Sequence, residues 1–306
     1  MYVASAGILA LHPAPSLRCQ RCRYLALAMA AVATVEVYLR GDPEDTARLA
    51  LAHKMLGSAR AVAEESPAVL STPGPSTHQL PSMLLYYELL VAVITHDTEL
   101  QTRMLVQQLP ALAPASRPSA QQLLEIADMT RDGHLANLDT CLRCYQLALQ
   151  QLAASARPSK LLAHHMPPAD TCSSDDSDVG ETLAYVVRCL VELSNGDSAK
   201  LAVLQEAVAV MSQVALAGMP DDTATAPPEN SVACGKRSAF PAKDVEWLVS
   251  TCWNQGAHHT RFQRRAEGAR YMRTALDLLE FAPPDYDQLY RSMMTGQLAK
   301  VQAAAA

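Results

Sequence analysis

The chain has 306 residues, a formal net charge of −6 and a sequence pI near 5.8, and only 5% of its residues are aromatic. Its apolar residues are mostly Ala, Leu, Val and Met, which favour helices and close helix packing. The charge argues against a chain that binds nucleic acid or anionic membrane over its whole surface. The longest apolar runs fall short of the ~20 residues that a membrane helix needs, so we expect no membrane span.

Apolar residues recur with helical spacing along the whole chain, and no run alternates as a strand would. The sequence therefore predicts an all-α protein. The apolar pattern starts at the first residues without the basic region of a secretory signal, so we expect an intracellular chain from which earlier helices are missing. The predicted helices are 3–11, 16–40, 43–64, 81–96, 98–109, 119–131, 134–155, 158–165, 180–194, 198–217, 242–259, 261–282 and 285–302.

Capping residues and prolines mark several helix ends. Asp42 precedes Pro43, and Asp197 precedes a long apolar helix, so both are predicted N-caps. Pro283 and the proline after it should stop the helix that ends in LDLLEFA, because proline lacks an amide hydrogen.

Three polar segments interrupt the helical pattern and are predicted to be long disordered loops: 66–82, 167–181 and 219–241. The third is the predicted linker between two regions. We expect an irregular helical-repeat body over 1–218 and a tidier set of TPR-like helices over 242–306.

The chain has eight cysteines, four of which form CxxC pairs: Cys19 with Cys22, and Cys141 with Cys144. Four thiolates could build a tetrahedral zinc site, and neighbouring arginines could lower thiol pKa values. Both pairs fall within predicted helices and lack the turn residues of zinc knuckles. We therefore expect packed free thiols, while the zinc alternative stays open.

Helix pairs joined by short turns occur at 121–152 and at 247–283. The second helix of each pair carries small residues early and a leucine-rich end. This pattern is typical of helical repeats, in which each pair buries its apolar faces against the next. The match to the 34-residue tetratricopeptide (TPR) template is partial, so the predicted architecture is a degenerate TPR-like α-solenoid.

Both tryptophans of the chain, Trp247 and Trp253, lie on one predicted helix. Apolar residues recur with helical spacing and form one face of this helix. A second face, which carries Trp247 and Asn254, lies beside it. We expect a helix packed on two sides, with the indoles between neighbouring repeats. Gly256 costs about 1 kcal/mol in helix propensity, which predicts a close backbone approach, at Ala266 or Ala269. Either indole could instead be an exposed hot spot for a partner.

The stretch EWLVSTCWNQGAHHTRF followed by AEGARYMRTALDLLEF resembles the C-terminal part of a family of meiosis-specific TPR-like proteins. The family is called Zip-four or Spo-twenty-two in fungi and plants and testis-expressed protein eleven in mammals. The resemblance covers about 40 residues. The residues that carry it as a repeat-packing signature are Trp247, Leu248, Trp253, Asn254, Gly256 and Ala269.

The resemblance implies a non-enzymatic scaffold that promotes meiotic crossover formation and chromosome synapsis in the nucleus, on meiotic chromosomes. Its expected partners are other meiotic crossover-class proteins. It implies no cofactor, no small-molecule substrate and no membrane, and direct DNA binding is not expected. The alternatives are a generic TPR-type adaptor or complex subunit unrelated to meiosis, and an enzyme that uses the cysteines.

Other residues with reactive or charged side chains form no recognised motif. The pairs His164–His165 and His258–His259 lack the spacing of helical metal ligands, so we expect them at helix ends and surfaces. Five arginines follow the tryptophan helix; they are either a solvated face or a docking surface for an acidic partner segment or a DNA backbone. These candidate partner-docking residues are Arg261, Arg264, Arg265, Arg270 and Arg273.

Overall fold

The computed structural model describes residues 17–41, 46–66, 79–112, 116–131, 137–156, 175–217 and 240–304. Every regular element within these ranges is a helix. The predicted all-α class is thus confirmed for the described part of the chain. The stacking of the helices as TPR-like repeats stays a prediction.

The described ranges hold the following helices. They are α1 (Leu17–Arg40), α2 (Thr46–Glu65), α3 (Gln79–Ile94), α4, α5 (Ala120–Arg131), α6 (Leu138–Ser155), α7 (Asp175–Leu193), α8 (Asp197–Ala217), α9 (Ala242–Arg261), α10 (Arg265–Leu279) and α11 (Pro284–Ala303). The fourth, α4, joins three segments: Thr98–Thr102, a π-helical stretch Arg103–Gln108, and Leu109–Ala111.

Two predicted loops are shorter than expected. α3 begins at Gln79, inside the predicted loop 66–82, and α7 begins at Asp175, inside the predicted loop 167–181. The segment 167–181 is rich in acidic residues, and the helix macrodipole favours acidic residues at a helix start. The predicted helices 3–11 and 158–165, the Asp42–Pro43 cap and nearly all of the linker 219–241 lie outside the described residues.

The helix ends use the predicted prolines and caps differently from expectation. Pro284 is the first residue of α11, preceded by Pro283 as its N-cap, while α10 already ends at Leu279. Asp197 is the first residue of α8 rather than the residue before it. Gly196 precedes it with φ +98°, a conformation that glycine adopts without steric cost.

The chain divides into two compact units, Met1–Ala148 and Leu149–Ala306. In the first, α1 and α2 pair as a hairpin and α3 packs on both. Their shared apolar core includes the fully buried Ala31, Val35, Ala52 and Ala59. The Arg60 guanidinium is paired with the carboxylate of Glu88, which is buried.

A buried amide organises the far end of the first unit. Gln101 donates from Nε2 to the carbonyl of Ala92 at 2.8 Å. Its Oε1 accepts from Asn137 Nδ2 at 2.8 Å and from Thr140 Oγ1 at 2.6 Å. Because a buried polar group is costly unless it is hydrogen-bonded, this network fixes how α3, α4 and α6 meet.

In the second unit, α7 packs on α8, and α8 contacts α9 and α10. The α9–α10 pair is a tight antiparallel hairpin, and α11 packs on α10. The turn of the hairpin is closed by the Arg264 amide, which donates to the His259 carbonyl at 2.9 Å, with Gln263 at φ +62°. This unit carries the residues of the predicted signature.

One described helix, α1, is long and apolar enough to cross a membrane by length and composition. The sequence prediction of no membrane span was based on the lengths of uninterrupted apolar runs. Helix α1 is longer than its apolar run, because it includes polar residues at its ends. A core helix of a soluble protein passes the same test. In this chain α1 packs against α2 and α3 through Tyr24, Ala31 and Val35, all of them buried.

Candidate functional site

The inner face of α9 carries the apolar stripe expected from its sequence. Four apolar residues of this face are buried: Val245, Leu248, Val249 and Cys252. Their spacing of one, three or four residues places them on the same side of the helix. This face packs on α10, where Ala269 is also buried. Leu248 and Ala269 of the predicted signature therefore lie inside the hairpin.

The second face of α9 is only partly covered. Trp247 is half-buried, and Asn254 and His258 are exposed. The sequence predicted a helix packed on two sides, and the second side is covered less completely than the first. At the N-terminal half of this face, α7 supplies Arg188, which lies over Trp247.

Gly256 and Gly268 form the crossing point of α9 and α10. A Cβ atom added to Gly256 would lie 2.8 Å from Met272 Cγ and 3.0 Å from the Gly268 carbonyl oxygen. A Cβ on Gly268 would lie 2.9 Å from the Gly256 carbonyl oxygen and would collide with Thr260 Oγ1. The close approach predicted from Gly256 is present, but its partners are Gly268 and Met272 rather than Ala266 or Ala269.

The two tryptophans have different surroundings. Trp253 is half-buried and, with Ala257, packs against a cluster that α10 and α11 share, formed by Ala269, Met272, Leu298 and Val301. Trp247 lies under the guanidinium of Arg188, whose Cζ is 4.8 Å from the ring centroid. A cation–π contact of this kind contributes about 0.5–1 kcal/mol at a partly exposed site. The same guanidinium pairs with Asp244, so it links α7 to α9 twice.

A buried polar cluster at the end of the hairpin was not predicted. His259 is fully buried and stacks on Tyr271 with ring centroids 5.2 Å apart. The Tyr271 hydroxyl donates to the backbone carbonyl of Asp197, and Arg264 Nη1 lies 3.0 Å from the Asp197 carboxylate. Burial and, second, the Asp197 charge raise the pKa of Tyr271 to about 12. The cluster therefore ties the start of α8 to both helices of the hairpin.

The histidine pair lies in the last turn of α9, as expected for a helix end, but His259 is not at the surface. His258 is exposed, but His259 is 0% exposed, and neither of its ring nitrogens has a hydrogen-bond partner among the described residues. Its Nε2 is 3.6 Å from Asp197 Oδ2. The burial of His259 could have been predicted from the sequence, because His259 lies three residues after Gly256 and seven after Cys252, on the buried face of α9.

The five candidate docking arginines do not form one patch. Arg264 pairs with Asp197, and Arg265 Nη1 donates to the Ala304 carbonyl at 2.5 Å. Arg261 is exposed at the end of α9. Only Arg270 and Arg273, both exposed on α10, lie together.

Arg270 and Arg273 border a shallow pocket of about 240 Å³ between α8 and α10. Its other lining residues are Gln205, Val208, Thr274 and Asp277. Partial burial and, second, the Glu280 charge raise the pKa of Asp277, while Arg273 opposes that shift. The pocket is therefore a mixed-charge surface with two guanidinium groups at its rim.

The two CxxC pairs lie within helices, as expected, but in different environments. Cys22 is exposed on α1, whereas Cys141 and Cys144 are buried on α6. Cys141 Sγ donates to the Ala127 carbonyl at 3.3 Å, and burial raises the pKa of Cys144. A raised pKa disfavours the thiolate that metal binding needs. Among the described residues, no three His, Cys, Asp or Glu side chains are grouped to hold a metal ion.

The chain was compared with known proteins in three ways. No protein-family model matches it, and no curated protein and no solved structure is significantly similar to it.

Proposed function

We propose that the chain is a non-enzymatic protein-interaction scaffold built from degenerate TPR-like helical repeats. The observation that supports this best is the α9–α10 hairpin, which crosses on Gly256 and Gly268 and carries α11 on its outer side. Helix pairs of this kind expose long surfaces on which other proteins can dock. Trp253, which packs between the hairpin and α11, joins one helix pair to the helix that follows it.

The cellular role that we propose is promotion of meiotic crossover formation and chromosome synapsis. It rests on the resemblance of 246–262 and 266–281 to the meiosis-specific TPR-like family. Two small residues of that signature, Gly256 and Ala269, are buried in the hairpin, where a repeat requires small residues. The proposed site of action is the meiotic chromosome in the nucleus, with other crossover-class proteins as partners.

The pocket rim of Arg270 and Arg273 is the part of the arginine set that we propose as a docking surface. Both side chains are exposed at the pocket rim, and Arg273 lies near the Asp277 carboxylate. An acidic segment of a partner protein could pair with both, since arginine binds carboxylates with two parallel hydrogen bonds.

Deletion of the gene tests the proposed role. Cells that lack the chain should grow normally in the vegetative phase and should form fewer crossovers, scored by tetrad or pedigree genotyping. A vegetative growth defect with an unchanged crossover number would favour a general adaptor and would contradict the meiotic role.

Charge reversal tests the docking surface in the same cells. The double variant Arg270→Glu/Arg273→Glu should accumulate to the normal level and fail to restore crossovers. The matched control is Lys54→Glu/Lys243→Glu, which reverses two exposed lysines elsewhere on the chain. Equal restoration by both variants would remove Arg270 and Arg273 from the proposal.

A further inference from the structure

The outer face of α11 exposes large apolar side chains. Leu289 is 69% exposed and Met293 is 55% exposed, and the first is the most exposed large hydrophobic residue in the described ranges. They are four residues apart, so they lie on the same side of the helix. Exposed apolar groups that line up in this way are typical of interaction surfaces. The half-buried Tyr286 and Tyr290, whose rings are 4.6 Å apart, extend this stripe toward the start of the helix.

The apolar stripe occupies one side of the first half of α11, and the polar Gln297 and Lys300 continue that side toward the end of the helix. The buried side of the helix carries Met294, Leu298 and Val301. The other exposed side carries the polar Gln288, Thr295 and Gln302. A helix that merely faces water needs no such division, so the stripe has the pattern of a helix with a second packing partner.

The charges near α11 reverse from one end of the helix to the other. Asp285 and Asp287 lie in its first turn, where Asp285 is exposed and Asp287 pairs with Arg291 at 2.7 Å. Lys300 lies in its last turn, and Arg265 reaches the carbonyl of Ala304 at the same end. Such a helix is complementary to a copy of itself that runs in the opposite direction, because each acidic end then meets a basic end.

We propose that the occupant of this face is a second copy of the chain, with the two α11 helices packed antiparallel about a two-fold axis. Such an interface uses the same surface on both copies, so a self-complementary helix is what it requires. The two-fold axis passes near Met293. Leu289 of each copy then packs beside Gln297 of the other, and Asp285 lies beside Lys300 at both ends.

Sedimentation equilibrium of the full chain over a range of concentrations tests the pairing. The wild-type mass should rise from 33.0 kDa toward twice that value as the concentration increases. Met293→Asp places two carboxylates at the axis and should keep the chain at the single-copy mass. Thr295→Asp adds the same charge on the polar side and should behave as wild type. A wild-type chain that stays monomeric up to about 1 mM, or a Met293→Asp variant that still doubles its mass, would overturn the proposal.

A charge swap tests the antiparallel direction separately. Asp285→Lys and Lys300→Asp should each weaken self-association by about tenfold or more, because like charges then meet at both ends. The double variant Asp285→Lys/Lys300→Asp should restore it. Within one helix the double variant is the least favourable for the macrodipole, so rescue cannot come from helix stability. If the double variant associates more weakly than either single variant, the antiparallel arrangement is wrong.

Discussion

Two helical hairpins, one in each compact unit, are closed by different residues. α1 and α2 pack through alanines, among them Ala31, Ala52 and Ala59, all 0% exposed. α9 and α10 cross on Gly256 and Gly268, where no Cβ atom fits. In the first hairpin the methyl groups fill the space between the helices, whereas in the second the backbones themselves are in contact.

The two hairpins also differ in the polar groups that they bury. The core around α1 and α2 consists of apolar side chains and tyrosines, and it includes the ion pair of Arg60 with the buried Glu88. The α9–α10 hairpin buries His259 against Tyr271 and binds the start of α8 through Asp197. Helical spacing alone does not distinguish the two cases. The same amphipathic pattern is compatible with an interface of mostly apolar side chains and with one that is also held by specific hydrogen bonds.

The largest expected difference between the hairpins is in thiol reactivity. Cys22 in α1 is exposed, whereas Cys252 in α9 is buried and burial raises its pKa. Cys22 should therefore react with a maleimide at neutral pH at least about a thousandfold faster than Cys252, because Cys252 becomes accessible only when the folded structure opens locally. Mass spectrometry of peptides after timed labelling gives both rates. Comparable rates in the folded chain would show that α9 is not packed as described.

Enlarging an alanine should break the first hairpin. Ala52→Leu inserts three carbon atoms into the α1–α2 interface and should lower the free energy of unfolding by about 2 kcal/mol. The measurement is urea unfolding followed by circular dichroism, since this unit contains no tryptophan. Ala50→Leu, at an exposed position two residues earlier, is the matched control and should be nearly neutral. Equal effects at both positions would refute the alanine interface.

Removing one hydroxyl should loosen the second hairpin by a smaller amount. Tyr271→Phe removes the hydrogen bond to the Asp197 carbonyl and should cost about 1 kcal/mol. Tryptophan fluorescence during urea unfolding reports this unit, because both tryptophans lie in α9. Tyr290→Phe on α11 is the control, because the Tyr290 hydroxyl makes no hydrogen bond within the described residues. A Tyr271→Phe variant as stable as the control would mean that the contact with α8 is dispensable.

The smallest effect is a pH dependence in the pocket of the second unit. Partial burial raises the pKa of Asp277, so the folded state disfavours its ionised form. Its contribution to stability is therefore largest in acid and declines as the pH rises through the raised pKa. Asp277→Asn should raise the unfolding temperature slightly at pH 7 and leave it unchanged at pH 3. A variant that is less stable at pH 7 would mean that the pairing with Arg273 dominates.

The helices could be predicted because their apolar spacing is strong and their ends are marked by Pro, Gly and acidic residues. The buried stripe from Val245 to Cys252 and the close approach at Gly256 also follow from the sequence. The role of Gly268 was not predicted, because a glycine near a helix start is as readily explained by the turn. The crossing angle of α9 and α10 decides which residue of α10 contacts Gly256. The sequence pattern of a single helix does not specify that angle.

The polar cluster and the division of the arginines were also beyond the sequence. His259, Tyr271 and Asp197 are far apart in the chain or on different helices, and only packing brings them together. The five arginines are close in sequence, but helical rotation directs Arg264 and Arg265 to different partners from Arg270. Sequence proximity was therefore a poor guide to a shared surface.

The close crossing of α9 and α10 is the claim on which the second unit and its proposed surfaces depend. It is tested most directly by the free energies of unfolding of Gly256→Ala and Gly296→Ala, read from tryptophan fluorescence at a concentration below that of self-association. Gly296 lies within α11, where an added Cβ meets nothing within 4 Å, so its alanine variant should gain up to about 1 kcal/mol in helix propensity. Gly256→Ala should instead lose about 2 kcal/mol, because its Cβ would meet Met272 and the Gly268 carbonyl. Stabilisation by both substitutions would contradict the crossing.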